Sequence, residues 1–233
     1  WRKTLGRLGY GRYRSDTRSP YLAYVMEHLA DFERTYARLS DDVSRETYLA
    51  VLRYRALGAR HVALPSNTEG YWKCVETIDA KYRVGDGDES AGSVLGRLGR
   101  YRIDGVSGTI EADLHVLNVI NTFGLEHYAC RHGGAPIEVK EGDVVIDGGG
   151  CWGETALFVA DRVGDSGHVH CFEFVPDSLR VLRANLDRNP ALASRIDIVE
   201  HALWNESDQE LKFDLGGGAG TTVGQNQTGD ASV

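Results

Sequence analysis

The chain has 233 residues, 42% of them hydrophobic and 26% charged, which is typical of a globular protein with one large domain or two small ones. Its formal net charge of −8 disfavours non-specific binding to nucleic acid, and no apolar run reaches the roughly 20 residues that a membrane-spanning helix requires. The four cysteines are scattered, with no Cys-x-x-Cys pair. We therefore expect free thiols, a cytoplasmic location and no metal site.

Residues 1–135 are predicted to form a mainly helical region. Ser19-Pro20 is typical of a helix start, and apolar residues follow at steps of three and four from Leu22 to Leu39. This spacing predicts one continuous helix. A second helix is predicted to start at Ser40-Asp41-Asp42 and to stop at Gly58, so that the two form a helical hairpin.

The remainder of this region carries weaker signals. The stretch from Gly85 to Gly92 is a loop by composition. Tyr101–Ile103 and Gly108–Ala112 are consistent with a short β-hairpin, and Leu114 to Phe123 is predicted to be helical.

Residues 136–233 alternate between buried strands and amphipathic helices. The predicted elements are strand 143–147, helix 153–163, strand 168–173, a helix from Val175-Pro176 to Asn189-Pro190, strand 195–200 and an extended piece at 209–213. This order predicts an α/β fold with a Rossmann-like, doubly wound sheet, of which these residues are the N-terminal part.

A glycine-rich turn follows the first of these strands. Read as Gly148-x-Gly150-x-x-Gly153, it fits the dinucleotide-binding fingerprint, and Glu173 follows at about the spacing of a ribose-binding acid. A turn without any ligand is a further interpretation, but consecutive glycines carry an entropy cost that an empty turn would not need.

The same turn also fits the Asp-x-Gly-x-x-x-Gly pattern of S-adenosylmethionine (SAM) methyltransferases, as Asp147, Gly149 and Gly153. A carboxylate at Asp147 would repel a pyrophosphate at the start of the following helix. It would attract the ammonium and sulfonium groups of SAM. The charge of Asp147 therefore favours SAM over a dinucleotide.

Several motifs beyond the turn follow in a consistent order. They are Gly142–Gly149, Gly153–Ala156, Phe172–Pro176, Asn185–Pro190 and Ala202–Asn205. With these motifs, the stretch from Phe123 to about Phe213 resembles the FkbM family of SAM-dependent O-methyltransferases. Asp41–Tyr54 also resembles a helical segment found upstream in some members.

The resemblance implies that SAM lies over the carboxyl ends of the first two strands. Asp147, Gly149 and Gly153 would line its methionine portion, and Glu173 would accept hydrogen bonds from both ribose hydroxyls. The complete set of implied cofactor contacts is Asp147, Gly148, Gly149, Gly150, Cys151, Gly153, Glu173, Phe174, His201 and Ala202. Within it, Cys151 stands where many family members have Asn. The alternative interpretations are that Phe174 packs in the core and that His201 lies in a loop without contacting the cofactor.

The activity implied by the resemblance is methyl transfer from SAM to a hydroxyl of a small acceptor, such as a sugar or a natural-product scaffold. The pattern identifies no general base, and it is compatible with a homo-oligomer. An NAD-dependent oxidoreductase and a non-catalytic SAM-binding interaction module are the alternatives.

The motifs cover three strands, and the later acidic strand motif of the family is not found. We therefore expect that the chain is a fragment of a longer protein or that another molecule supplies the remaining strands. As a fragment it would bind SAM weakly and catalyse poorly, with its first strand left as an open apolar edge.

Overall fold

The structure is a computed structural model that describes residues 21–58, 61–65, 67–88, 97–131, 136–206, 210–214, 222–224 and 231–232. The chain divides into two compact units between Cys74 and Val75. The predicted boundary at 135/136, between a mainly helical region and a Rossmann-like domain, lies inside the second unit and stays a prediction. None of the helices in the described ranges combines the length and the hydrophobicity needed to cross a bilayer.

The first unit is helical where it is described. Its helices are α1 (Tyr21–Glu27), α2 (Leu29–Arg38), α3 (Asp42–Leu57) and the start of α4 (Glu69–Tyr82). The prediction of one continuous helix from Leu22 to Leu39 is wrong, because His28 (φ −104°, ψ 23°) leaves helical geometry between α1 and α2. The predicted Ser19-Pro20 start lies outside the described residues.

The start and the end of α3 are as predicted. Asp41 caps the helix, since its carboxylate accepts a hydrogen bond of 2.7 Å from the backbone N–H of Ser44. The helix ends at Gly58, whose N–H donates to the carbonyl of Tyr54.

The second unit contains an antiparallel sheet of order β1-β2-β3, formed by β1 (Arg83–Asp86), β2 (Gly99–Asp104) and β3 (Thr109–Leu114). The predicted hairpin is confirmed as β2 and β3, in which Tyr101 pairs with Ala112. Composition predicted a loop from Gly85, but Gly85 and Asp86 belong to β1, because pairing with β2 outweighs their weak strand propensity. The predicted helix at 114–123 is present as α5 (Val116–Asn118) and a π-helical stretch, Val119–Gly124.

The predicted α/β core is confirmed. It consists of β4 (Val144–Gly148), α6 (Glu154–Val163), β5 (His168–Phe172), α7 (Pro176–Arg188), α8 (Pro190–Ala193) and β6 (Ile196–Val199). The strands form a parallel sheet of order β4-β5-β6. The fold class is therefore a Rossmann-like α/β sheet preceded by a helical region.

The two faces of this parallel sheet differ in burial. Side chains alternate along a strand, so Val169 and Cys171 share one face and are fully buried. Val144 and Ile146 lie on the other face, and each is 66% exposed. Within the described residues β4 pairs only with β5, which makes it an edge strand.

Two asparagines of α7 connect this helix to β3. Asn185 is fully buried; its amide oxygen accepts from the N–H of Asp113, and its amide nitrogen donates to the carbonyls of Asp113 and Trp152. One turn later, Asn189 makes the same pair of hydrogen bonds with the backbone of Glu111. The two side chains thus supply the hydrogen-bond partners that a neighbouring strand would give to the edge of β3. Asn185 alone, through its bond to the carbonyl of Trp152, also connects α7 to the glycine turn.

The described residues near the C-terminus form a small antiparallel sheet of order β8-β7-β9. Its strands are β7 (Lys212–Asp214), β8 (Thr222–Gly224) and β9 (Ala231–Ser232). The extended piece predicted at 209–213 corresponds to β7, which ends at Asp214, one residue after the predicted end.

Candidate functional site

The turn between β4 and α6 has the left-handed backbone that its glycines permit. Gly149 has a φ of 95° and Gly153 a φ of 86°, a region that other residues avoid. Cys151 also lies there, with a φ of 46°. This conformation is unfavourable for most residues with a Cβ, and Asn and Asp tolerate it better than Cys.

The backbone N–H groups of this turn bind neighbouring protein atoms. Gly149 and Gly150 both donate to the carbonyl of Phe172, at 3.0 and 2.9 Å. The N–H of Cys151 donates to Oε2 of Glu173 at 2.7 Å, and that of Gly153 donates to the carbonyl of Gly150. These four groups are therefore not aligned to receive the phosphates of a dinucleotide.

Gly150 has a packing reason to be glycine. A Cβ at this position would overlap Sγ of Cys171 and would press on Leu182 of α7. The middle of the turn thus lies directly against β5 and α7. Its glycine serves the close approach of these elements, which requires no ligand.

Glu173 holds the turn and the segment after β5 together. It is 6% exposed, and its Oε1 accepts from the N–H groups of Phe174 and Val175, both at 2.8 Å. With the bond from Cys151, three of its about four acceptor positions are used within the described residues. One acceptor position, on Oε2, is left free of backbone donors. Glu173 could therefore accept hydrogen bonds from two ribose hydroxyls only if one of its three bonds to backbone N–H groups were broken.

Asp147 is 8% exposed at the carboxyl half of β4. Burial raises the pKa of its carboxyl group from 3.8 to about 6, and the nearby charge of Glu173 acts in the same direction. The thiol of Cys171, its partner across the sheet, lies 3.7 Å from Oδ2.

Glu154, the first residue of α6, is a site residue that the sequence patterns did not predict. It is 8% exposed; Oε1 accepts from the amide of Asn118, and Oε2 is buried with no hydrogen-bond partner in the described structure. Burial raises its pKa from 4.5 to about 7. An acid in the first turn is common on exposed helices, so the sequence offered no signal that this one is buried.

Asp147, Glu154 and Glu173 together form the carboxylate cluster. In the described parts of the chain, no lysine or arginine pairs with any of the three, and the charge neighbours that raise the pKa values of Asp147 and Glu154 are other carboxylates. Buried carboxylates without a cationic partner are costly to ionise. The cluster therefore favours a bound cation.

The segment after β6 borders the same end of the sheet. Leu203 lies over Gly148, because a Cβ on this glycine would be 3.0 Å from Cδ1 of the leucine. His201 is exposed and Ala202 is half-buried. Leu203 was not among the predicted contacts, yet it is the described residue of this segment that lies against the end of β4.

The remaining predicted contacts are arranged as follows. Phe174 is half-buried just beyond β5, and its backbone is held by Glu173. The side chain of Cys151 is half-buried, and burial raises the pKa of its thiol, so the thiol is protonated at neutral pH. His168 and His170 lie on the face of the sheet opposite to Asp147, so neither adjoins the carboxylate cluster.

No protein-family model and no curated protein matches the chain. Among solved structures, it is similar to the methyltransferase FkbM from Methylobacillus flagellatus KT, with 16% identity and a TM-score of 0.41, over 77% of this chain and 34% of that chain. It is similar to Aeropyrum pernix fibrillarin in complex with natively bound SAM, with 28% identity and a TM-score of 0.25, over 28% of each chain. A SAM-dependent methyltransferase from Aquifex aeolicus matches with 15% identity and a TM-score of 0.26, over 34% of this chain and 36% of that chain. The matches thus span between 28% and 36% of the length of these solved structures.

Proposed function

We propose that this chain binds SAM at the turn between β4 and α6 and belongs to a SAM-dependent methyltransferase. The observation that carries the proposal is the carboxylate cluster, and above all the buried Oε2 of Glu154, which has no partner among the described residues. The cluster adjoins the carboxyl end of a parallel sheet, where ligands of open α/β folds bind.

The charges of SAM complement this cluster. Its methionine end carries an ammonium and a sulfonium, and a cation beside Asp147 and Glu154 would offset the cost of their burial. Gly149 and Gly153 would line the same part of the cofactor. Glu173 would accept one ribose hydroxyl at its free acceptor position and the second in place of one backbone N–H group.

The other proposed contacts surround this region. Gly148, Gly150 and Cys151 would complete the turn beside the cofactor, and Phe174, His201 and Ala202 would border the adenine. These roles come from the family resemblance and from the position of the residues at one end of the sheet.

The same electrostatics disfavour a dinucleotide. A pyrophosphate would have to lie at the N-terminus of α6, next to the buried carboxylate of Glu154. The turn offers no compensation, because four of its N–H groups donate to protein oxygens. The NAD-dependent alternative is therefore less consistent with the site than SAM.

The reaction that we propose is O-methylation of a small hydroxylated acceptor. The acceptor oxygen attacks the methyl carbon, the bond from this carbon to sulfur breaks, and S-adenosylhomocysteine leaves as a neutral thioether. The hydroxyl proton passes to a base or to water. Catalysis would depend mainly on alignment of the oxygen with the methyl group, and we assign no residue as the base.

Calorimetric titration of SAM, S-adenosylhomocysteine and NADH into the protein tests the proposal. We expect saturable binding of the first two ligands only. Glu154→Gln and Glu173→Ala each should weaken SAM binding about 10- to 100-fold, as expected for loss of a charged hydrogen bond. Glu141→Gln, an exposed carboxylate elsewhere in the unit, serves as the control and should bind SAM like the unmodified protein.

The outcomes separate the alternatives. Binding of NADH instead of SAM would reverse the choice of cofactor. If Glu154→Gln bound SAM as tightly as the unmodified protein, the carboxylate cluster would not be what binds the cofactor. Incubation with methyl-labelled SAM and a panel of sugars and hydroxylated natural products then tests O-methylation, and binding without transfer to any acceptor would favour a non-catalytic module.

A further inference from the structure

We propose a second, separate site: His168, His170 and Asp197 bind a transition-metal ion, of which Zn²⁺ is the best match, on the exposed face of the parallel sheet. The three side chains can each supply one ligand atom, and these atoms lie within 4.8 Å of one another. The proposal does not depend on the proposed methyltransferase function.

The sheet itself brings the three residues together. His168 and His170 are two positions apart on β5, so their side chains point to the same face. On β6, Asp197 pairs directly with His170. The ligand set thus stands on two rigid, hydrogen-bonded strands, which fixes its spacing better than a loop would.

The distances are close to those of a metal site. Oδ2 of Asp197 lies 2.8 Å from Nε2 of His168 and 3.7 Å from Nδ1 of His170. Bonds of about 2.0–2.1 Å to a tetrahedral Zn²⁺ place neighbouring ligand atoms about 3.3 Å apart. The two separations lie on either side of this value, and all three ligand atoms lie within 4.8 Å of one another, so the histidine side chains would have to rotate towards each other to close the site around an ion.

The donor set selects the class of metal. Two imidazoles and one carboxylate suit Zn²⁺ and its neighbours in the transition series, whereas Mg²⁺ and Ca²⁺ prefer oxygen ligands. The side chains of His168, His170 and Asp197 are 32%, 41% and 64% exposed, so an ion has access from solvent. Water would complete its coordination, and the bound ion would join β5 to β6.

The site is distinct from the carboxylate cluster. Asp147 pairs with Cys171 on the buried face, and His168 and His170 lie on the opposite face. The spacing of the cysteines gave no reason to expect a metal. The third ligand comes from a different strand, 27 residues after His170, and the sequence does not show that the two strands pair in this register.

Titration of ZnCl₂ into chelator-treated protein, followed by calorimetry, tests the site. We expect the protein to bind one Zn²⁺ ion per chain saturably. His168→Ala, His170→Ala and Asp197→Asn should each lower the affinity by more than the about 10- to 100-fold that is typical when a residue hydrogen-bonded to a metal ligand is lost. His61→Ala and Asp187→Asn change an exposed histidine and an exposed aspartate that do not belong to this cluster, and they should bind as the unmodified protein does. MgCl₂ should give no saturable binding.

The absorption spectrum of the Co²⁺-loaded protein identifies the ligands independently. Tetrahedral d–d bands without a thiolate-to-cobalt charge-transfer band would support imidazole and carboxylate ligation. A strong thiolate band would place the ion on cysteine and overturn the proposal. Absence of saturable Zn²⁺ binding, or equal affinity in all three site variants and the unmodified protein, would show that the cluster is only a hydrogen-bonded surface group.

Discussion

Glu154 and Asp147 make the stability of the protein depend on pH. Burial raises their pKa values to about 7 and about 6, above the ordinary 4.5 and 3.8. The folded state therefore holds these protons more tightly than the unfolded chain does. The stabilisation is fully present below the ordinary pKa values, and it is lost as the pH rises through the raised ones.

Replacement of Glu154 by Gln tests this effect. Without ligand, we expect Glu154→Gln to be more stable than the unmodified protein at pH 8, by at most on the order of 3 kcal/mol, and similar to it near pH 4. Urea unfolding at several pH values measures the difference. A gap between the two proteins that does not change with pH would contradict the raised pKa of Glu154.

Cys151 is a second residue whose local environment has a measurable cost. Its φ of 46° lies in the left-handed region, which is unfavourable for a residue with a Cβ. We expect Cys151→Gly to raise the free energy of unfolding by about 1 kcal/mol, since glycine relieves this strain but adds chain entropy to the unfolded state. Cys151→Ala removes the thiol and keeps the strain, so it should give no such gain in a urea unfolding experiment.

At the scale of elements, α7 replaces a strand at the edge of β3. A helix cannot continue a sheet with its own backbone, because its N–H and C=O groups are used within the helix. The side-chain amides of Asn185 and Asn189 provide the donor and the acceptor instead, one turn apart. The motif from Asn185 to Pro190 thus has a structural explanation that does not involve the cofactor.

Asn185→Ala should therefore destabilise the second unit strongly. It removes three buried hydrogen bonds and leaves backbone groups of Asp113 and Trp152 unpaired, for an expected loss of about 2–4 kcal/mol. The midpoint of urea unfolding measures the loss, and the exposed Asn205→Ala serves as the control. Equal midpoints for the two variants would show that α7 does not depend on this connection.

At the scale of the whole molecule, the parallel sheet has one exposed face with apolar residues. Val144 and Ile146 are neighbours on this face, and each is 66% exposed. An exposed apolar strand at a sheet edge promotes association.

We expect the protein to self-associate with increasing concentration and to bind a hydrophobic dye. The double variant Val144→Thr/Ile146→Thr should reduce both effects, because threonine keeps the β-branched shape and lowers the apolar area. Val43→Thr changes a valine that is 75% exposed in the first unit, and it should leave dye binding unchanged. Sedimentation velocity and dye fluorescence measure the two effects, and a variant that associates like the unmodified protein would exclude this face as the cause.

The sequence by itself determined the local order of the α/β core. The apolar runs ended at Asp147 and Glu173, the glycines marked the turn, and Asn189-Pro190 marked the end of α7; the strands and helices follow these signals to within one or two residues. Such signals are local, because burial of a strand and the chemistry of a turn depend on adjacent residues. The helix break at His28 and strand β1 lacked a comparable local signal.

Only the tertiary structure decided which of these residues share an environment. The hydrogen bond from Asn118 to the buried Glu154, the bond from the N–H of Cys151 to Glu173 and the pairing of Asp197 with His170 each join positions that are distant in the sequence. Periodicity predicts which face of an element is apolar, but the partner of that face and the register of two strands are set by packing between elements. For this reason the glycine turn could be predicted from the sequence, whereas the carboxylate cluster and the histidine–aspartate site became visible only in the fold.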